Sequence, residues 1–399
     1  MSKKLFNKRT LFFLIILSLA VSIRQTAMTM VMPFISIYAK SLSHYTPALA
    51  AISLGIFGLA QAIFQIPFGI LSDKFGEKKI VLIGLFLVIA GLILAGVTSN
   101  IYLLITARTL QGSGAIIAVV CSWVSNETND QNRTRALSIV SSSMSFAAAL
   151  SFAIGPLIHK FISVNNMFII CAILISFSWI CILLFLRNNN EDNTIKETNS
   201  TISKKELLTS VLKDKDFMKL NISAFMNNFI MTSVFFILPQ YIDNLIGEDN
   251  MWKVFIPAVV IAVLVMKLIV PLAEKGYSFS IISSSFLIGT LGILFFIKKN
   301  FYTLLIGSIF FMISYICIAT ISQTKVNEKI NNTIRGTVNG VFNSFQYIGS
   351  FIGSIFAGTL WSVNINFPIY VNVLLSILTF IIILTSLKDE FSQKSKTTI

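Results

Sequence analysis

The sequence predicts an all-α membrane protein, twelve transmembrane helices arranged as two six-helix bundles. Three observations predict it. Of the 399 residues 55% are hydrophobic and only 12% charged, about half the charge that a soluble domain carries. Apolar runs of roughly 20 residues, the length that crosses a bilayer, recur along nearly the whole chain between short polar breaks. A polar, Asn-rich stretch, 187–216, divides these runs into two sets of six. Landmarks of the first set return about 200 residues later in the second.

The first helix, 11–38, follows the basic start MSKKLFNKRT. It has no small-residue cleavage site and outruns a signal peptide, so it reads as retained. Arg24 sits near its mid-depth and Met32-Pro33 near its end. The second, 48–71, closes in a polar turn, and the third, 79–98, is apolar throughout. The fourth, 101–125, carries Arg108 and Gln111; the fifth, 136–160, starts after Arg135 and holds Gly155-Pro156; the sixth, 166–186, runs into the linker. In the second half the seventh, 217–241, ends at Leu238-Pro239, echoing Met32-Pro33. The eighth, 252–273, stops before Glu274 as the second stops before Asp73. The ninth and tenth, 278–297 and 301–323, flank a short polar turn. The eleventh, 335–359, begins at Arg335, matching Arg135, and the twelfth, 366–387, leaves a short polar tail. The expected units are residues 1–186, the cytoplasmic linker 187–216, and 217–399. A parallel six-plus-six repeat is a transporter architecture, with the substrate path between the halves near mid-membrane.

An even number of crossings puts both termini on one side. Of the 31 Lys and Arg, the outer loops would hold only Lys40, Lys160, Lys253, Lys298 and Lys299, the helices Arg24, Arg108 and Lys267, and the inner segments all the others. Positive charge gathers on the cytoplasmic side, so both termini are expected in the cytoplasm and the protein in a bacterial inner membrane. The net charge of +14 comes without the basic, aromatic-studded stripe of a nucleic-acid binder. Cys121, Cys171, Cys181 and Cys317 lie in apolar runs without a CxxC pair, which speaks against a disulfide framework or metal site. His44 and His159 have no acidic cluster in the sequence around them to make a catalytic metal site, and no Walker-type phosphate loop occurs.

After the second helix the chain reads Gly69-Ile70-Leu71-Ser72-Asp73-Lys74-Phe75-Gly76-Glu77-Lys78-Lys79. Gly69 would let the helix end approach a neighbour, Asp73 is placed to meet an Arg or a helix N-terminus, and Gly76 permits a tight turn. An unpaired Arg in hydrocarbon costs at least ~2.5 kcal/mol. Arg108 is therefore either a structural group satisfied by carbonyls and Gln111, or part of proton coupling or of the cavity's field. Arg24, at mid-depth, is expected to face the cavity. Asn339, Asn343 and Gln346 share one face of the eleventh helix; they and Asn227 and Asn228 of the seventh suit interhelical hydrogen bonding or a wet substrate path equally. No Asp or Glu lies in the middle of any helix.

The loop after helix two is similar to the G-x-L-x-D-R-x-G-R-[RK] signature of major facilitators, and Arg108 to Gly112, reading R-x-x-Q-G, resembles the Arg and Gln-Gly pattern of their fourth helix. Gly155-Pro156 resembles the core of the antiporter motif, although Ala147 to Ala149 and Ser151 stand where that motif has glycines. The chain thus resembles the drug:proton antiporter branch of the major facilitator superfamily. Gly58 to Gly69, Asp130 to Thr134, Trp252 to Val254 and Arg335 to Thr337 look like its YajR subgroup, whose soluble C-terminal domain this protein is expected to lack. The resemblance implies a conformational switch built on Gly69, Asp73, Gly76, Glu127 and Arg133, which latches the outward-open state. Two departures, Glu77 in place of Arg and Asn126 in place of an acid, put that latch in rewired form. It also implies a monomeric exporter of a small amphipathic, drug-like molecule, driven by the proton gradient without a cofactor. An anionic metabolite or siderophore meeting Arg24 and Arg108, and a transport-inactive sensor, are the alternatives.

Overall fold

The structure, a computed structural model, describes residues 6–187, 213–329 and 335–384. Most of the predicted linker and the tail lie outside the described residues. The first crossing consists of α1 (Lys8–Met30), a 3-10 turn at Met32–Phe34 and α2 (Ile35–Lys40); Pro33, lacking an N–H, falls in that break. Next come α3 (Pro47–Phe75), α4 (Glu77–Val97), α5 (Ile101–Ser113), α6 (Ile117–Asn126), α7 (Asp130–His159) and α8 (Val164–Phe185). The second half has α9 (Lys215–Ile246), α10 (Trp252–Leu272), α11 (Ser278–Phe295), α12 (Phe301–Lys329), α13 (Arg335–Val363) and α14 (Phe367–Leu384).

The predicted helix 101–125 is corrected to two. Gly112, Ser113 and Gly114 are poor helix formers, and the helix stops at Gly114 (φ −73°, ψ 54°). Several helices outrun their predicted ends, as α12 does in reaching Lys329, because backbone hydrogen bonding continues past the apolar stretch into the polar rim. The pairing of the chain into twelve crossings needs one more step. Ten helical stretches are long and apolar enough to span a bilayer. One of them, Glu248–Lys298, has 51 residues; as a continuous helix it would measure ~75 Å, far beyond the ~30 Å hydrocarbon core. It turns at Gly276, whose φ of 88° is left-handed, so α10 and α11 are two crossings. The polar face of α13 keeps that helix below the hydropathy of the others, and it completes the twelve.

In the first half α1 packs on α7 and α8, and α4 on α5 and α8; in the second, α11 packs on α12 and α14, and α9 on α12, α13 and α14. The halves meet through α3 against α13, α7 against α10, and α2 against α9. Those contacts gather at the end remote from the chain termini, the far end. There Lys40 pairs with Asp243 (3.8 Å) and His159 with Glu248 (3.7 Å). Deeper in, Phe152 of α7 stacks on Phe235 of α9 at 5.0 Å between centroids. Toward the terminal end the α3–α13 contact gives out, with open space beside Gly69 and Gly340. Ile63, Ile66 and Ile70 of α3, Phe146 of α7 and Leu264 and Leu268 of α10 are exposed.

Candidate functional site

The α3–α13 seam sets the shape of the space between the halves. A methyl placed on Gly58 would lie 2.9 Å from the Tyr347 carbonyl oxygen, so a larger residue cannot fit without separating the helices. Gly55 sits against Ser354 and Phe351, and Gly358 against Ala51 and Pro47. Carried along the antiparallel pair, this register sets Gly69 opposite Gly340. Neither has any atom within 4 Å of where a methyl would be. The close approach expected of Gly69 is thus absent in this conformation: the seam is shut from Pro47 to Gln61 and open beyond it.

The last tie of the shut portion is Gln61 Nε2 donating to the Tyr347 hydroxyl at 2.9 Å. Beside it lies Arg24, 1% exposed and among the largest fully buried side chains. One terminal nitrogen donates to the Gly114 carbonyl at 2.9 Å, in the break between α5 and α6, an oxygen that also accepts from the Ile116 N–H at 2.9 Å. The Tyr347 phenol interacts electrostatically with the same guanidinium. Nε of Arg24 has no partner, nor has Oε1 of Gln65, one turn beyond Gln61. Arg24, expected to face the cavity, is therefore fully buried in this conformation.

Arg108 is held differently. Nη1 donates to Gln111 Oε1 (2.6 Å), Nε to the Ser53 carbonyl (3.3 Å), and the guanidinium lies 4.8 Å from the centre of the Phe57 ring. Gln111 in turn donates to the Gly91 carbonyl at 3.0 Å. Arg108 and Gln111 tie α3, α4 and α5 together, and the structure keeps them apart from the Arg24 group.

At the terminal end, Asp73 is exposed and forms no hydrogen bond or ion pair with any described residue. Gly76, with φ of 88°, makes the turn from α3 to α4, a backbone conformation that favours glycine. The two departures from the family signature face each other: Asn126 Nδ2 donates to Glu77 Oε1 at 2.5 Å. Arg133 Nε donates to the Ser125 carbonyl at 3.2 Å. Burial pushes the Glu127 carboxyl up from its ordinary value, nearby Arg9 pulls it down, and Glu77 pushes it up again.

Gly155 packs its bare Cα against Met30 at the break in the first crossing, the carbonyl oxygen lying 2.6 Å from where a methyl would be; Pro156 follows within α7. Asn227, buried, donates to the Tyr315 carbonyl at 3.3 Å, whereas Asn228 bonds back to Ala224 of its own helix. Asn339 bridges Gln323 and Asn327 of α12. Asn343 and Gln346 are partly exposed and form no hydrogen bond with a described residue; Asn343 shares the α13 face of Gly340 and Tyr347.

Sequence reasoning missed Gln61, Gln65, Tyr347 and the cross-half pairs Lys40–Asp243 and His159–Glu248. A signal existed for the first three. Gln61 and Gln65 are one turn apart in an otherwise apolar run, and Tyr347 extends the polar stripe of α13 by one turn from Asn343. Among the described residues no group of His, Cys, Asp or Glu could hold a metal ion.

Comparison with known proteins accords with this architecture. Residues 17–354 match the family described as "Major Facilitator Superfamily". The chain is 33% identical over 242 residues to the inner membrane transport protein YajR of Escherichia coli, covering 60% of this chain and 53% of YajR. It is 24% identical over 232 residues to the multi-drug resistance efflux pump PmrA of Streptococcus pneumoniae, covering 56% of this chain and 57% of the pump. The chain thus spans little more than half the length of these curated relatives. Among solved structures, a bacterial homologue of the human lysosomal transporter Spinster, inward-facing and unoccupied, superimposes with a TM-score of 0.76 over 96% of this chain and 99% of its own, at 13% identity. A multi-pass helical fold in two halves and a family match over most of the chain lead to one conclusion: this chain belongs to the major facilitator superfamily.

Proposed function

We propose that the protein exports a small amphipathic molecule from the bacterial cytoplasm by alternating access, driven by inward movement of protons and working as a monomer in the inner membrane. The observation that carries this reading is the α3–α13 seam, tight from Gly358 to Tyr347 and empty at Gly69 and Gly340. One rigid rocking of the halves closes the second pair while it opens the first. With the termini cytoplasmic, the reading that the placement of Lys and Arg supports, this conformation is the inward-open state. The latch of Asp73 is then released, as expected of a group that acts in the opposite state. The efflux pump and the inner membrane protein among the relatives support the direction and the compartment. Asp73 and Glu127, carboxyls at the moving rim, are the groups placed to couple the switch to protons. The test is proton movement in energised inside-out vesicles exposed to cationic, neutral and anionic amphipaths. Compound-dependent collapse of the pH gradient, abolished by Asp73→Asn, is the expected result. A compound that accumulates in the vesicles while the gradient stays intact would contradict proton coupling.

A further inference from the structure

Arg24 lies at mid-depth where the two halves part, without a counter-charge: no carboxylate of a described residue pairs with it, and Nε has no partner at all. A guanidinium has five donors, and an intramembrane cation is stable only when its charge is answered. A structural arginine in the same protein looks different. Arg108 has two oxygen acceptors and an aromatic face, whereas Arg24 has the single carbonyl of Gly114. A further unused polar atom lies on α3, one turn from Gln61: Gln65, 4% exposed, offers Oε1 without a partner. On the cavity side this group is covered by one hydrogen bond, Gln61 to Tyr347, which joins the two halves and marks where the seam opens.

From these features we infer that Arg24, Gln65 and Tyr347 form the head-group subsite of the transported molecule, and that this head group is an anion of the carboxylate type. The ligand's negative oxygen supplies the missing charge to Arg24. The Tyr347 hydroxyl, released from Gln61, donates to a second oxygen, and the Gln65 amide meets a neighbouring polar group of the ligand. Tyr347 belongs to α13 while Arg24 and Gln65 belong to the other half, so the same anion contacts both halves at the point where they part. The inference rests on the transporter reading and narrows its substrate class.

The test is binding, measured without any gradient. Protein in nanodiscs is titrated with dansylglycine, dansylamide and dansylcadaverine, which carry an anion, no charge and a cation on one fluorophore, with empty nanodiscs as the blank. Wild-type protein is expected to bind dansylglycine at least ~10-fold more tightly than the other two, a difference of about 1.4 kcal/mol. Arg24→Gln should erase the preference, Arg24→Lys should keep most of it, and Tyr347→Phe should reduce it severalfold. Thermal unfolding of each variant checks that it is folded, and retention of the preference by Arg24→Lys separates a charge requirement from a packing one. Equal binding of the three probes, absence of binding by dansylglycine, preference for the cation, or an anion preference that survives in Arg24→Gln would each overturn the assignment. Failure of proton-driven export would leave this preference standing, and loss of the preference would leave the transporter reading standing, so the two are separately decided.

Discussion

Two buried arginines show how one residue type does two jobs in the same membrane. Arg108 is satisfied by Gln111, the Ser53 carbonyl and the Phe57 ring. Removing it strands Gln111, and hydrogen bonds to a charged group are worth about 1.5–3 kcal/mol. Arg108→Ala is therefore expected to lower the thermal unfolding midpoint markedly, whereas Arg24→Gln, which gives up a single bond, should lower it little. Its spacing from Gln111, three residues along a helix, made the Arg108 pair legible in the sequence. The setting of Arg24 was not: its partner, Gly114, is 90 residues away and sits in a helix break that hydropathy does not register. At the rim, the two departures from the family signature, Glu77 and Asn126, are joined to each other by a hydrogen bond. Glu127 beside them gives a pH prediction. Burial holds its folded-state carboxyl above the ordinary value, so the ionised form is penalised by folding. That penalty is full above the raised value and vanishes below the unfolded one, 4.5. Stability of this conformation should rise as pH falls through that window, and Glu127→Gln should flatten the profile in thermal melts from about pH 5 to 8.

At the scale of elements, α3 and α13 act as the seam whose two ends alternate. Gly58→Leu would force the shut portion apart, because even a methyl there meets the Tyr347 backbone at 2.9 Å. Gly69→Leu meets nothing here but would obstruct the opposite closure. The two substitutions should push the protein in opposite directions. A Lys40→Cys reporter at the far end should label faster with a membrane-impermeant maleimide in Gly58→Leu than in the parent, and more slowly in Gly69→Leu. The individual helices were legible because each is apolar over a bilayer's thickness. Their partners were not, since a helix that is apolar all round does not reveal which face meets which neighbour. Tyr347 illustrates this: its polar tip and spacing were visible, but only the α3–α13 register brings it to Gln61.

For the whole molecule, the halves are joined at the far end by the Lys40–Asp243 ion pair and the His159–Glu248 contact, by packed aromatic rings, and by the glycine seam. Pairs that are partly exposed are worth little individually, about 0–1 kcal/mol, which suits a closure that must be undone in every cycle. Such contacts join residues some two hundred positions apart and cannot be read from local pattern, whereas the six-plus-six repeat and the Lys and Arg asymmetry are global features of the chain. The central claim is that Gly69 and Gly340, apart here, meet in a second state. It is tested most directly by introducing Gly69→Cys and Gly340→Cys into a protein whose four native cysteines are replaced, and oxidising it in native membranes. A disulfide requires the two Cα atoms within about 7 Å. Rapid cross-linking, with the far end then becoming accessible to maleimide, is the result this account predicts. Free cysteines that both react with maleimide yet never cross-link would contradict it.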